Sequence, residues 1–65
     1  MKKGKWLSII SESNESIIIR IHDKFYEYSS TPEVNKEFKK HLHNQGKALD
    51  YLKKNSIFVG ELKNG

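Results

Sequence analysis

The feature that most constrains the fold of this chain is the isoleucine-rich run Ser16-Ile17-Ile18-Ile19-Arg20-Ile21. Four of the five positions from Ile17 to Ile21 are β-branched. Such side chains have few χ1 rotamers and suit a pleated, buried surface better than a helix. The run therefore predicts a strand, and Phe25 to Ser29 is predicted to be its antiparallel partner.

The register of these two strands follows from the chemistry of their side chains. A loop with an even number of residues and Asp23-Lys24 at its tip makes each face of the hairpin chemically uniform. The predicted pairs are Ile21 with Tyr26, Ile19 with Tyr28, and Arg20 with Glu27. A three-residue loop would set Arg20 opposite Tyr26 and Ile19 opposite Glu27, which mixes core and solvent on both faces. We therefore predict the even loop.

Tyr26 and Tyr28 have two interpretations on this hairpin. In the first, which we favour, their rings cover the core on the isoleucine side and their hydroxyls reach its wet margin. In the second, they form a stacking platform for unpaired bases. The second interpretation requires an uncovered sheet face.

A helix is predicted from Pro32 to about His43. Thr31 precedes it as a capping residue, and proline is favourable at the first helical position. An apolar stripe follows at positions i, i+4 and i+8, formed by Val34, Phe38 and Leu42.

The remaining elements are shorter. Gly46 is predicted to end the first helix in a left-handed conformation, and Lys47 to Lys54 to form a second helix. Trp6 to Ile10 is a candidate first strand, followed by a turn over Ser11 to Glu15. A C-terminal strand is predicted from Ile57 to Leu62, with a frayed tail over positions 63–65.

Together these elements predict one small α+β domain over residues 1–65. A small antiparallel β-meander is covered on one face by two short helices, and a C-terminal strand returns to the sheet. At 65 residues the chain lies near the lower size limit for a fold held by a single core. No stretch approaches the ~20 apolar residues of a membrane span, so we expect no membrane partner and a cytoplasmic protein.

The sequence offers little catalytic chemistry. Cysteine is absent, which excludes thiolate metal sites and thiol nucleophiles. His41 and His43 are two positions apart on a predicted helix and therefore point to different sides. No pair of carboxylates has a spacing suited to acid and base catalysis. We expect a protein that is not an enzyme and that uses neither a metal nor a cofactor.

The charge of the chain gives a weak indication of a partner. The net charge is +4, with twelve basic and eight acidic residues, and basic surface attracts nucleic acid. A solvated charged face is the simpler explanation of the lysines on the helical half. The candidate nucleic-acid-binding residues are Arg20, Lys36, Lys39, Lys40 and Lys47. Because Arg20 is the only arginine, bidentate recognition is not expected as the main mode.

The region from Ile17 to Lys53 resembles the KTSC domain family, small domains of bacterial and phage genomes that also occur at the C-terminus of some lysyl-tRNA synthetases. The motifs that carry the resemblance are Ile17-Ile18-Ile19-Arg20-Ile21, Tyr26-Glu27-Tyr28, Pro32-Glu33-Val34, Phe38, and Gly46-Lys47-Ala48-Leu49-Asp50. The chain departs from the family pattern at the Asp23-Lys24 turn, where a glycine is usual, and at Gln45 and Asp50. The resemblance implies a connection with RNA and a phage or prophage origin.

Two functions follow as expectations. The first is a non-catalytic binding module that contacts nucleic acid, in particular RNA, through the lysine-rich helical face and Arg20. The alternative is a protein-interaction module, either a phage protein that docks on a host protein or a subunit of a homodimer. Binding through lysines should weaken steeply with added salt. Docking through Trp6, Phe58 or an exposed strand edge should not.

Overall fold

The computed structural model describes residues 5–63 of the chain. Within this range the order of elements is β-β-β-α-α-β. The strands are β1 (Leu7–Glu12), β2 (Ser16–Ile21), β3 (Lys24–Ser29) and β4 (Ile57–Leu62), and the helices are α1 (Pro32–Lys40) and α2 (Gln45–Asn55). The predicted tail falls mostly outside the described residues.

The four strands form one antiparallel sheet in the order β1-β2-β3-β4. Both helices pack on the face that carries Ile17, Ile19 and Tyr28. The predicted α+β class is therefore confirmed, as is the C-terminal strand. The order also identifies the two edge strands, β1 and β4, and places β4 next to β3.

The hairpin loop has an even number of residues, as predicted, but the predicted strand pairing is shifted by two residues. The loop has two residues, His22 and Asp23, and the tip is not Asp23-Lys24. His22 has a φ of 58°, as the first central residue of a type II′ turn requires, and its ring stacks on Trp6 with centroids 5.8 Å apart. The observed pairs are Ile19 with Tyr26, Ile17 with Tyr28, Arg20 with Phe25, and Ile18 with Glu27.

Because the loop is even, the isoleucines and tyrosines still share one face, as predicted. The predicted pairing of Arg20 with Glu27 is wrong. A four-residue loop would have left Lys24 and Phe25 unpaired, whereas the observed turn extends the ladder to both residues.

The core lies between the sheet and the two helices, and every element except β4 contributes buried hydrophobic residues to it. Its buried hydrophobic residues are Leu7, Ile17, Ile19, Tyr28, Phe38, Ala48 and Leu52. Phe38 is completely buried on α1, as the stripe predicted, whereas Val34 and Leu42 are only half-buried. The stripe thus lies along the margin of the core with one central anchor.

The connection between the helices differs from the prediction. The helix α1 ends at Lys40, three residues before the predicted His43, because residues 41–44 form a turn with backbone bonds such as Leu42 N–H to the Lys39 carbonyl. Asn44 then caps α2 by accepting a hydrogen bond from the Lys47 N–H at 3.2 Å. Gly46 therefore lies in the first turn of α2 with a negative φ, and the predicted left-handed Gly46 is wrong.

The start of α1 agrees with the sequence. The Thr31 hydroxyl accepts a hydrogen bond from the Val34 N–H at 3.2 Å, and Pro32 is the first helical residue.

Strand β1 runs two residues further than predicted, to Glu12, and includes a bulge between Ile9 and Ser11. None of the described helices is long and apolar enough to cross a membrane.

Candidate aromatic binding pocket

The path of α2 leaves one corner of the sheet uncovered. At its start, the Gln45 side-chain oxygen accepts hydrogen bonds from the N–H groups of Trp6 and Leu7, both at 3.0 Å. At its end, the chain enters β4 at Ile57, opposite the last residue of β3. Leu7 and Ile57 lie at opposite ends of the sheet and on opposite edges, so α2 crosses the sheet diagonally.

The helix α1 covers one of the two corners that this diagonal leaves. The Asn35 amide donates to the Ser13 carbonyl at 3.0 Å, and Lys39 forms an ion pair with Glu12. Both contacts lie near the turn between β1 and β2. Among residues 5–63, no helix lies above the opposite corner, over β3 and β4.

A pocket of about 460 Å³ occupies this uncovered corner. It is lined by Ile21, Tyr26, Tyr28, Lys53 and Phe58. Tyr28 and Phe58 are directly opposite each other on β3 and β4, and Tyr26 lies two residues along on the same face. The pocket is therefore a continuation of the core surface that the helices do not close.

The rings of Tyr26 and Tyr28 both lie next to the ring of Phe58. The ring centroids of Tyr28 and Phe58 are 5.4 Å apart with the ring planes at 62°, and those of Tyr26 and Phe58 are 6.1 Å apart at 53°. These separations and tilts are typical of favourable aromatic contacts. Tyr28 is only 5% exposed, whereas Phe58 is 54% exposed. Tyr28 therefore belongs to the core, and Phe58 offers a large ring surface to a ligand.

The electrostatics of the pocket are those of an apolar cleft with one cation. Lys53 of α2 is an exposed lysine in its wall. Burial raises the pKa of the Tyr28 hydroxyl, with a smaller contribution from repulsion by Tyr26, so this hydroxyl is uncharged at neutral pH. A planar apolar group attached to an anion matches such a site, because the rings can stack on it and the lysine can pair with the charge.

The structure separates the predicted nucleic-acid-binding residues into two groups. Lys36, Lys39 and Lys40 are exposed on α1, and Lys47 is exposed in the first turn of α2. Two of them have acidic partners, since Lys39 pairs with Glu12 and the Lys40 ammonium lies 3.8 Å from Glu37. These four lysines lie on the helical side of the sheet, as does Lys53.

Arg20 lies on the other side of the sheet. It stands between Ile19 and Ile21 in β2 and faces Ser8 and Phe25 across the ladder, so its side chain projects away from the helices. Its Nε atom is buried and has no hydrogen-bond partner among the described residues. Arg20 and the lysines are consequently not brought together on one surface.

The sequence interpretation missed the pocket as a unit and missed Asn35. Phe58 is among the predicted docking residues, but nothing local in the sequence indicates that α2 leaves the corner open beside it. Asn35 is 2% exposed, and the signal for it was available, because it precedes Phe38 by three positions and Leu42 by seven on one helix. A polar residue in that position predicts a buried hydrogen-bonding role.

No protein-family model, curated protein or solved structure matches this chain. The resemblance to the KTSC family therefore stays a prediction. Among residues 5–63, no group of three or more histidine, cysteine, aspartate or glutamate side chains is arranged to hold a metal ion.

Proposed function

We propose that this chain is a non-catalytic binding module for single-stranded nucleic acid, with RNA as its principal ligand. One base stacks on Phe58 and Tyr26 in the pocket, and the adjoining phosphate pairs with Lys53. The observation that supports this proposal is the open aromatic pocket with a lysine in its wall.

The lysines of the helical side extend the interaction beyond the pocket. Lys36, Lys39, Lys40 and Lys47 attract the phosphate backbone over a distance of several ångströms. Aromatic stacking is tolerant of base identity, and lysine acts as a point charge without bidentate geometry. The proposed module therefore binds with little sequence preference. Arg20 has no part in it, because it lies on the opposite face of the sheet.

A titration of a fluorescent single-stranded RNA of about ten nucleotides, a length within the range for such sites, tests the proposal. Phe58→Ala should weaken binding by about 1 to 3 kcal/mol, the usual loss for one stacked base. Because Phe58 is 54% exposed, this variant should stay folded. Lys53→Gln should weaken binding and lower the slope of log affinity against log salt concentration by about 0.7.

Arg20→Gln is the matched control, since it removes one positive charge from the face opposite the pocket. It should leave the affinity close to that of the parent protein. Equal losses for Lys53→Gln and Arg20→Gln would show that only net charge matters, which contradicts the proposed site. A single-stranded DNA of the same sequence reports whether the 2′-hydroxyl contributes.

A second candidate function, a protein-interaction module, is favoured by a different observation. Ile57, Phe58 and Val59 are consecutive residues of the edge strand β4 and are 71%, 54% and 57% exposed. Exposed apolar edge strands are sites of strand addition. Association through this edge should persist at salt concentrations that abolish RNA binding, which separates the two functions. A host protein and a second copy of this chain are the two partner classes that this function includes.

A further inference from the structure

We infer that the Tyr28 hydroxyl donates a hydrogen bond to the edge of the base that stacks on Phe58, and that it makes the pocket selective for a ring with an acceptor atom. This inference rests on the proposed function and adds a specificity-determining residue to the same site. It concerns a group that the proposed function leaves unused, since stacking involves the aromatic rings and Lys53 pairs with the phosphate.

The first argument is that this hydroxyl is almost buried and has no partner in the protein. Tyr28 is only 5% exposed. Among residues 5–63, the Arg20 Nε is the only side-chain nitrogen or oxygen that is both sealed from solvent and unpaired. The Tyr28 hydroxyl, which forms no hydrogen bond within those residues, therefore keeps a small contact with solvent. The pocket is the solvent-accessible space that Tyr28 lines.

The second argument is the cost of filling the pocket. Solvent reaches the hydroxyl in the free protein, and a base that enters the pocket displaces that solvent. A buried polar group that loses its partner is destabilising unless the ligand replaces it. Sites with buried hydrogen-bonding groups reject ligands that lack the matching atom for this reason. The pocket should therefore favour a ring with a polar edge over an apolar ring of the same shape.

The third argument is the orientation of the rings. The planes of Tyr28 and Phe58 are inclined at 62°, so a base that lies parallel to Phe58 is inclined to Tyr28 by the same angle. It cannot stack on both rings. Tyr28 consequently meets the edge of the base, which is where nucleobases carry their carbonyl oxygens and acceptor nitrogens.

The protonation of Tyr28 fixes the direction of the hydrogen bond. Burial raises the pKa of this phenol, so it keeps its proton at neutral pH and is available as a donor. The other polar side chains of the lining are Lys53, which is exposed, and Tyr26, which is half-buried. Solvent can satisfy both of these in the complex. Tyr28 is thus the lining residue whose hydrogen bonding depends on the ligand.

Titrations with two fluorescent oligonucleotides of about ten nucleotides test the inference. One is oligouridine, and in the other each base is replaced by difluorobenzene, which has the shape of uracil without its carbonyl acceptors. Tyr28→Phe should weaken oligouridine binding about two- to tenfold, the usual effect of one neutral hydrogen bond. It should leave the affinity for the apolar analogue and the salt dependence unchanged, because it removes neither a ring nor a charge. An unchanged affinity for oligouridine, or an equal loss for both ligands, would overturn the inference.

Tyr51→Phe is the matched control, since it makes the same chemical change on α2 at a residue that packs on His41 and does not line the pocket. It should bind both ligands like the parent protein.

The free protein provides a test without RNA. Tyr28→Phe should melt at or above the midpoint of the parent, because the hydroxyl has no partner to lose. A clearly lower midpoint would show that the hydroxyl is bonded within the fold and would contradict the inference. A parent that binds no RNA overturns the proposed function and the inference together. Binding that is sensitive to Phe58→Ala but not to Tyr28→Phe overturns the inference alone.

Discussion

At the scale of single residues, Asn35 connects the turn between β1 and β2 to Ser30, which lies just before the cap of α1. Its side-chain oxygen accepts a hydrogen bond from the Ser30 hydroxyl at 2.6 Å, and its amide donates to the Ser13 carbonyl at 3.0 Å. Asn35 and Ser30 are 2% and 8% exposed. Because buried polar groups are costly when unpaired, this pair holds the β1–β2 turn against the start of α1.

Removal of these hydrogen bonds should therefore lower the free energy of unfolding by more than removal of the helix cap does. The sequence alone predicts that Thr31→Ala costs about 1 kcal/mol and that Ser30→Ala costs much less, since only Thr31 is placed to cap. The structure changes the second expectation. Ser30→Ala should cost at least as much as Thr31→Ala, and Asn35→Ala about 2 to 3 kcal/mol, because each leaves a buried partner unsatisfied.

Urea unfolding of the three variants measures these free energies. Asn14→Ala, at an exposed residue of the same turn, is the control and should change stability little. A Ser30→Ala variant as stable as the control would show that the bond to Asn35 contributes nothing.

At the scale of elements, the roles of Asn44 and Gly46 decide where α1 ends and where α2 begins. If α1 had ended at Gly46, as the sequence predicts, Gly46 would have a left-handed backbone conformation. Instead Asn44 caps α2, and Gln45 in the first turn holds the start of β1. The earlier start of α2 thus gains a cap and two hydrogen bonds to the sheet.

Gly46→Ala distinguishes the two interpretations of this connection. A methyl group at this position meets only the Asn44 side-chain oxygen, at 3.9 Å, and the backbone φ is not positive. We expect the variant to be more stable by about 0.5 to 1 kcal/mol, because alanine has the higher helix propensity and restricts the unfolded chain. A left-handed glycine would give a destabilised variant instead. The thermal midpoints of parent and variant provide the measurement.

At the scale of the whole molecule, a single small core supports all of the elements. Phe38 is the largest of its fully buried side chains and is completely inaccessible to solvent. Domains of this size have a stability of only ~3 to 10 kcal/mol, from ~0.05 to 0.15 kcal/mol per residue. The loss of one large core side chain is therefore comparable with the stability of the whole fold.

Phe38→Ala should reduce the free energy of unfolding by about 3 to 5 kcal/mol, since it leaves a cavity between α1 and the sheet. Leu42→Ala, at a half-buried position of the same stripe, should cost clearly less. Circular dichroism melts of both variants check this order. A Phe38→Ala protein that melts within a few degrees of the parent would remove Phe38 from the centre of the core.

Local signals in the sequence predict the existence and order of the elements and much of the core. The isoleucine run, Thr31-Pro32 and the position of Phe38 are local signals, because β-branching, capping and helical periodicity act between residues that are near in the chain. The even number of residues in the hairpin loop was likewise predictable, because side chains alternate between the two faces along a strand.

Contacts between distant segments of the chain bring together the residues around the candidate site. The observed hairpin register places His22 against Trp6 of a distant segment. The role of Asn35 depends on its bond to Ser13, 22 residues earlier in the chain. The pocket exists because α2 crosses the sheet diagonally, and Arg20 is separated from the lysines by the thickness of that sheet. These properties arise from contacts between distant segments, and no local pattern of residue types specifies the path of a helix across a sheet.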